Sequence, residues 1–247
     1  MRDFEDSTLW RVSAFERARQ ESGTSGFARL QGDASVLPTT LVADLDHLAR
    51  DAQDTDVLEV MAACMRHQEP ALLCLQHADL VWPVTLFPAQ HLYHSPRDVA
   101  LASDEGLATL SVLSTEPPGV RPPGHSMHER IAHAEHYHPL PPLLWSIALH
   151  GPRRWVLDEI GGRAAYRYAH TRSIDDRLTA PGAVGGAMHR LQRESVSLRD
   201  LAGWPGMSLE RASRLLNALY LTGGLMLTRS HPAARDEPGL LRGFFRR

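Results

Sequence analysis

The chain has no lysine: all 26 basic residues among its 247 are arginine. The simplest source of that bias is the codon usage of a GC-rich, bacterial genome. A functional source would be selection for bidentate anion contacts, which a guanidinium makes and an ammonium does not. Cysteine is nearly as scarce, with only Cys64 and Cys74 present. Two cysteines do not make a disulfide framework, and free thiols suit a reducing compartment, so the expected location is cytoplasmic. No run of about 18 apolar residues occurs, so no membrane span is expected. The acidic start, Met1-Arg2-Asp3-Phe4-Glu5-Asp6, lacks the apolar core of a secretory signal. A glycine-rich phosphate loop, a Gly-x-Ser-x-Gly elbow and a Cys-x-x-Cys pair are all missing. Catalysis and cofactor binding therefore have no positive support, and a non-enzymatic protein is expected.

Hydrophobic residues make up 43% and charged residues 22%, the balance of a globular protein. Charge is unevenly placed. Met1 to Thr115 carries 8 arginines against 17 acids, whereas Glu116 to Arg247 carries 18 arginines against 12 acids. An acidic front and a basic back predict either two functional halves or halves that attract each other.

Punctuation and periodicity divide the chain further. Residues 1–36 read as a flexible segment holding a short helix at most around Leu9, Trp10, Val12 and Phe15. Residues 37–115 read as an acidic α+β domain. Helices are expected from Thr39 to Ala52 and from about Asp56, where Val57, Val60, Met61 and Cys64 form one stripe. Ala71–Leu75 and Val81–Phe87 flank a polar break and predict a β-hairpin, with Pro83 marking an edge strand or a bulge. Leu107 to Leu113 is a further strand candidate, so a small antiparallel sheet with helices is expected here. Residues 116–124, with four prolines and two glycines, are the expected linker.

Residues 125–247 then read as an arginine-rich, mostly helical domain. Ser126 and Glu129 form a capping-box pattern opening a helix through about Tyr137. Helices are also expected over Leu143–Leu149 and Arg153–Ile160, the latter stopped by Gly161-Gly162. Five histidines fall between His125 and His138. On the expected helix, His128, Glu129, His133 and His136 share roughly 140° of the polar side. His133 and His136, one turn apart, could share a metal ion with Glu129 as a third ligand or a base. The same pattern also suits a solvated helix face that attracts metal only weakly.

The most patterned segment lies near the end of the chain. Ser197 with Asp200 caps a short helix ending at Gly203, and Trp204-Pro205-Gly206 forms a turn. Ser208 caps a second helix to about Thr222, closed by Gly223-Gly224, and Leu225–Thr228 reads as a strand. On the second helix Leu209, Ala212, Leu215, Leu216, Leu219 and Tyr220 fall within roughly 140° of arc and form the expected core face. Glu210, Arg211, Ser213, Arg214, Asn217 and Ala218 cover the remainder.

Short helix, glycine turn, longer amphipathic helix and strand are the order of a helix-turn-helix with a wing. The segment from Leu198 to Arg229, within a unit spanning 187–230, resembles the winged-helix superfamily. The resemblance implies that Arg211, Arg214 and Asn217, with Arg229, line a partner-binding or DNA-binding face, since arginine reads guanine and asparagine adenine. After Arg229 no second strand completes a wing, and units of this kind also bind proteins. The leading expectation is therefore a regulatory or adaptor protein with a protein partner. The alternatives are a DNA-binding transcription regulator and a metal-dependent enzyme using the histidines of 125–138. The tail Leu240-Leu241-Arg242-Gly243-Phe244-Phe245-Arg246-Arg247 joins apolar and basic residues and suits nucleic acid, an anionic lipid surface, the acidic first half, or its own domain.

Overall fold

Strands β2 (Ala71–His77) and β3 (Leu80–Phe87) form the hairpin that the two apolar runs predict, joined by a two-residue turn. The structure is a computed structural model and describes residues 9–22, 36–51, 56–98, 104–169, 178 and 180–234. These residues have an α+β fold, and the chain divides into two compact units, Met1–Arg153 and Arg154–Arg247.

In the first unit the hairpin is the middle of an antiparallel sheet. Its order is β5 (Ser111–Glu116), β2, β3, β4 (Leu92–His94) and β6 (Tyr137–Pro139), while β1 (Trp10–Arg11) pairs with Leu80 and Val81 of β3. Nearly every residue of β2 and β3 is buried, so side chains on both sheet faces are covered. That is why both strands read as continuous apolar runs rather than as alternation. Pro83 does not mark an edge strand. It sits in a central strand, but β1 pairs with β3 at Leu80 and Val81 and β4 at Thr85–Phe87, leaving Pro83 between them. Alternation counted from the turn aims its nitrogen into that gap, where no donor is needed.

Helix α1 (Val12–Ser22) sets Phe15 against Leu72, Cys74 and Val81 on one face of the sheet. Helix α2 (Thr39–Asp51) packs on α3 (Val57–His67). Asp56 caps α3 by accepting from the backbone of Leu58 and Glu59 at 2.8 and 3.4 Å. The same Asp56 and the buried Glu59 hold the guanidinium of Arg153 at 2.8 and 2.7 Å, with only 4% of the Arg153 side chain exposed. On the opposite face, α4 (Asp104–Ala108) brings Gly106 onto the His77 ring: a Cβ there would lie 2.2 Å from His77 Nε2. The strand expected over Leu107–Leu113 therefore starts later, as β5, because Leu107 ends up buried on this helix.

Residues 116–124 do not separate the units. Strand β6 pairs with β4, and α5 (Leu140–His150) packs on α3, α4 and β4, so residues 125–153 complete the first unit. The expected helix from Ser126 to Tyr137 is absent. Its place is taken by two single 3-10 turns, His128–Arg130 and Ala134–His136, and then β6. Tertiary pairing overrides the capping signal: Arg121 bridges Ile131, and the Tyr137 hydroxyl donates to Arg121 O while accepting from Ala132 N.

In the second unit, β7 (Ala165–Tyr168) is the middle strand of an antiparallel sheet, between β8 (Val196–Ser197) and β9 (Leu225–Thr228). Three helices follow the chain between them: α6 (Gly182–Leu191), α7 (Leu198–Ala202) and α8 (Leu209–Leu221). The capping signals read from the sequence operate here. Ser197 and Asp200 form the reciprocal capping box of α7, Ser208 accepts from Arg211 N, and Gly223 ends α8 at a φ of +76°. The helix expected over Arg153–Ile160 is only the 3-10 turn Asp158–Ile160.

Two substitutions probe the first unit. Arg153→Met should cost roughly 3–5 kcal/mol, because two carboxylates lose their buried partner. Gly106→Ala should cost about 1–3 kcal/mol by forcing the His77 ring aside. Urea melts followed by circular dichroism measure both, and losses below about 0.5 kcal/mol would contradict the packing described.

Candidate functional site

Helix α8 carries three of the four expected binding residues, and its environment decides what they can do. It is buried well beyond a single stripe: Ala212, Ser213, Leu215, Leu216, Asn217, Ala218, Leu219 and Leu221 are all out of solvent. Leu209, expected in the core, is instead 61% exposed. The reason is that the side of α8 bearing Asn217 faces the irregular segment Trp155–Leu157. Asn217, fully buried, accepts from Leu157 N at 2.9 Å and donates to Trp155 O at 2.9 Å. One amide thus satisfies both a donor and an acceptor of a segment with no ladder of its own. Asn217 is a structural residue, and its expected place on an exposed binding face is corrected.

The arginines are also engaged by the protein. Arg211 is exposed and its guanidinium donates to Gly206 O, while Arg214 pairs with Glu210 at 3.1 Å with 14% of its side chain exposed. Arg229, exposed on the strand-end turn, donates to Gly161 O at 3.1 Å and Glu159 O at 3.3 Å. It thereby ties β9 to the Asp158–Ile160 turn. These four residues do not form one solvent-facing array.

The second unit does expose large apolar side chains. Trp155, Leu209 and Met226 are 59%, 61% and 53% exposed. Met226 stands opposite Arg167 on β9 and β7, and both point to the outer face of the sheet, where they line a shallow depression with Tyr168, Ala169 and Gln192. The inner face holds Tyr166, whose hydroxyl donates to Ile160 O at 2.6 Å. Alternation in Leu225–Thr228 was a possible clue to Met226. Strand β7 carried too short a pattern to be read.

In the first unit the expected metal residues are dispersed. Without the helix, His128, Glu129 and His133 sit exposed on a winding loop, and His136 turns inward. Among the described residues no three His, Cys, Asp or Glu side chains stand gathered for coordination. The structure instead places His94 of β4 beside His136, ring centroids 5.9 Å apart, with the Tyr137 ring 5.2 Å away. His133 lies 6.4 Å from His136. His94 is 7% exposed, and its Nε2 is buried without a hydrogen-bond partner. Burial, helped by His136 and His138, pushes its pKa down to about 4, so the ring is neutral at pH 7. On the other sheet face Asp98 accepts from the Tyr93 hydroxyl at 3.0 Å and lies 3.8 Å from His138 Nδ1. Sequence reading overlooked His94 because nothing in its own stretch links it to His136.

Among the described residues no helix is long and apolar enough to cross a membrane. The tail from Leu240 to Arg247 and residues 1–8 and 23–35 of the expected flexible segment lie outside the described residues. No family model matches the chain, and neither does any curated protein or solved structure.

Replacing Asn217 tests the reading of α8. Asn217→Ala should lower stability by roughly 2–4 kcal/mol, since a buried N–H and a C=O lose their partner together. A surface asparagine would cost less than 0.5 kcal/mol by the usual range for exposed sites, and a chemical melt separates the two outcomes.

Proposed function

We propose that this chain is a non-enzymatic, bacterial and cytoplasmic regulatory or adaptor protein, and that its C-terminal unit docks a protein partner. The observation that carries the proposal is the exposure of Trp155, Leu209 and Met226 on a unit of fewer than a hundred residues. Aromatic and methionine side chains are enriched at the centres of protein interfaces, whereas DNA surfaces are dominated by available arginine and lysine.

The element order of this unit supports a winged-helix-like reading. Helix α6, strand β8, short α7, longer α8 and strand β9 follow one another as they do in winged-helix units. The remaining strand, β7, comes from upstream of α6, and β9 is followed by the 3-10 turn Pro232–Ala234. No β9 hairpin is therefore available as a DNA-contacting wing among the described residues. On α8, the residues that would read base edges are turned inward or paired: Asn217 is buried, and Arg214 is held by Glu210. This argues for a protein partner over a DNA groove.

The test uses the full-length protein. Extract from a GC-rich bacterial host passed over immobilised chain should retain a defined partner, and Met226→Glu should reduce that retention at least tenfold with the melting curve unchanged. A mobility shift of duplex DNA that disappears steeply with salt and survives Met226→Glu would replace the proposal with a nucleic-acid function.

A further inference from the structure

Strand β9 lies at the edge of its sheet, and β7 is its single partner strand among the described residues. One contact sets its hydrogen-bonding phase. Ala169 N donates to Gly224 O at 2.9 Å, and these two residues lie one step beyond the Tyr168–Leu225 pair. Alternation from there turns the backbone groups of Met226 and Thr228 toward β7 and sends the N–H and C=O of Leu225 and Leu227 outward. The 3-10 turn Pro232–Ala234 that follows packs on β7 and β8, so the described chain after β9 does not cover this edge. The side chains are as open as the backbone. Met226 is 53% exposed, and Leu225 and Leu227 are only half-buried although they face the inner side of the sheet. Natural sheet edges are commonly blunted by charge, proline or a bulge. Leu225-Met226-Leu227-Thr228 has no charged residue and no proline, and its register with β7 is regular.

We propose that β9 pairs antiparallel with β9 of a second copy of this chain, about a two-fold axis through Met226. The inference rests on the reading of this unit as a docking unit, and it names the partner. An axis at Met226 sets Leu225 of one copy opposite Leu227 of the other. Each such pair then exchanges both of its outward hydrogen bonds, and no outward group of Leu225 or Leu227 is left over. Met226 meets the second copy's Met226 as a non-hydrogen-bonded pair, the kind with the closer side chains, on the outer face. Self-pairing requires a strand that does not repel itself, and this one carries no charge. Arg167, opposite Met226 on β7, would lie three strand spacings from its counterpart, roughly 14 Å, which exceeds the Debye length of about 8 Å at physiological salt. Arg229 is occupied by Gly161 O and Glu159 O. A charged partner strand would find no counter-charge on β9, whereas a second copy matches Leu225, Met226 and Leu227 with apolar side chains. The pairing joins two three-stranded sheets into one and removes two edges at once.

Sedimentation equilibrium of the purified full-length protein tests the pairing without any extract. The mass should rise from that of one chain to that of two across the micromolar range. Met226→Glu, which sets two like charges face to face, should weaken the dimer at least tenfold with the circular dichroism spectrum unchanged. Met226→Lys should do the same, and an equal mixture of the two variants should dimerise again, because only a residue on the axis meets itself. Met226→Cys should give a disulfide-linked dimer under mild oxidation, whereas the natural chain, whose two cysteines are buried, should not. A protein that stays monomeric at hundreds of micromolar overturns the inference, and a monomer that still retains a partner from extract leaves the docking reading standing. A dimer indifferent to Met226→Glu, or a mixture that fails to dimerise, overturns the inference as well. Loss of both the dimer and the retention from extract defeats the docking reading with it.

Discussion

A polar group withdrawn from water must find a partner inside the protein, and that requirement shapes both units more visibly than apolar packing does. In the second unit the amide of Asn217 meets it for the segment Trp155–Leu157, which has neither a helix nor a strand to supply partners. In the first unit Arg153 meets two carboxylates, one of which is already the cap of α3. Trp82 donates to the buried hydroxyl of Ser95 at 2.7 Å, and Ser95 closes the turn after β4. Each of these contacts fixes an irregular piece of chain against a regular one. Among the described residues the requirement is left unmet at a few buried nitrogens, including His77 Nε2, His94 Nε2 and His138 Nε2.

The two units use this constraint differently. The first buries a hairpin on both faces, so its central strands tolerate almost no polar residue, and Thr85 and His94 meet at their margin. Its histidines gather at the sheet edge, where β6 and the turn before it set His136 and His138 beside β4. The second unit has a short sheet, and its outer face leaves Met226 and Arg167 open.

Local signals were readable wherever the interactions that fulfil them are close in the chain. The helix start near Asp56, the capping box at Ser197 and Asp200, the Ser208 cap, the glycine stop after α8 and the β2–β3 hairpin all connect residues a few positions apart. The same kind of signal misled at Ser126, because a capping box only favours a helix that nothing else forbids. There, β4 claims Tyr137–Pro139 as a strand partner, and a distant tyrosine hydroxyl holds the loop.

Composition and short-range pattern by themselves determined the α+β class, the hairpin, the existence of α2, α3, α7 and α8, and the ends of α7 and α8, since each depends on periodicity or on a neighbour within a turn. Only the tertiary structure decided that residues 125–153 belong with the first unit, that Asn217 faces inward, and that His94 sits beside His136. All three depend on contacts between residues about 40 or more positions apart, whose pairing is chosen by which strands and helices bury one another. A single helix-face projection cannot anticipate this. It shows which residues share a side of the helix, not what that side will meet.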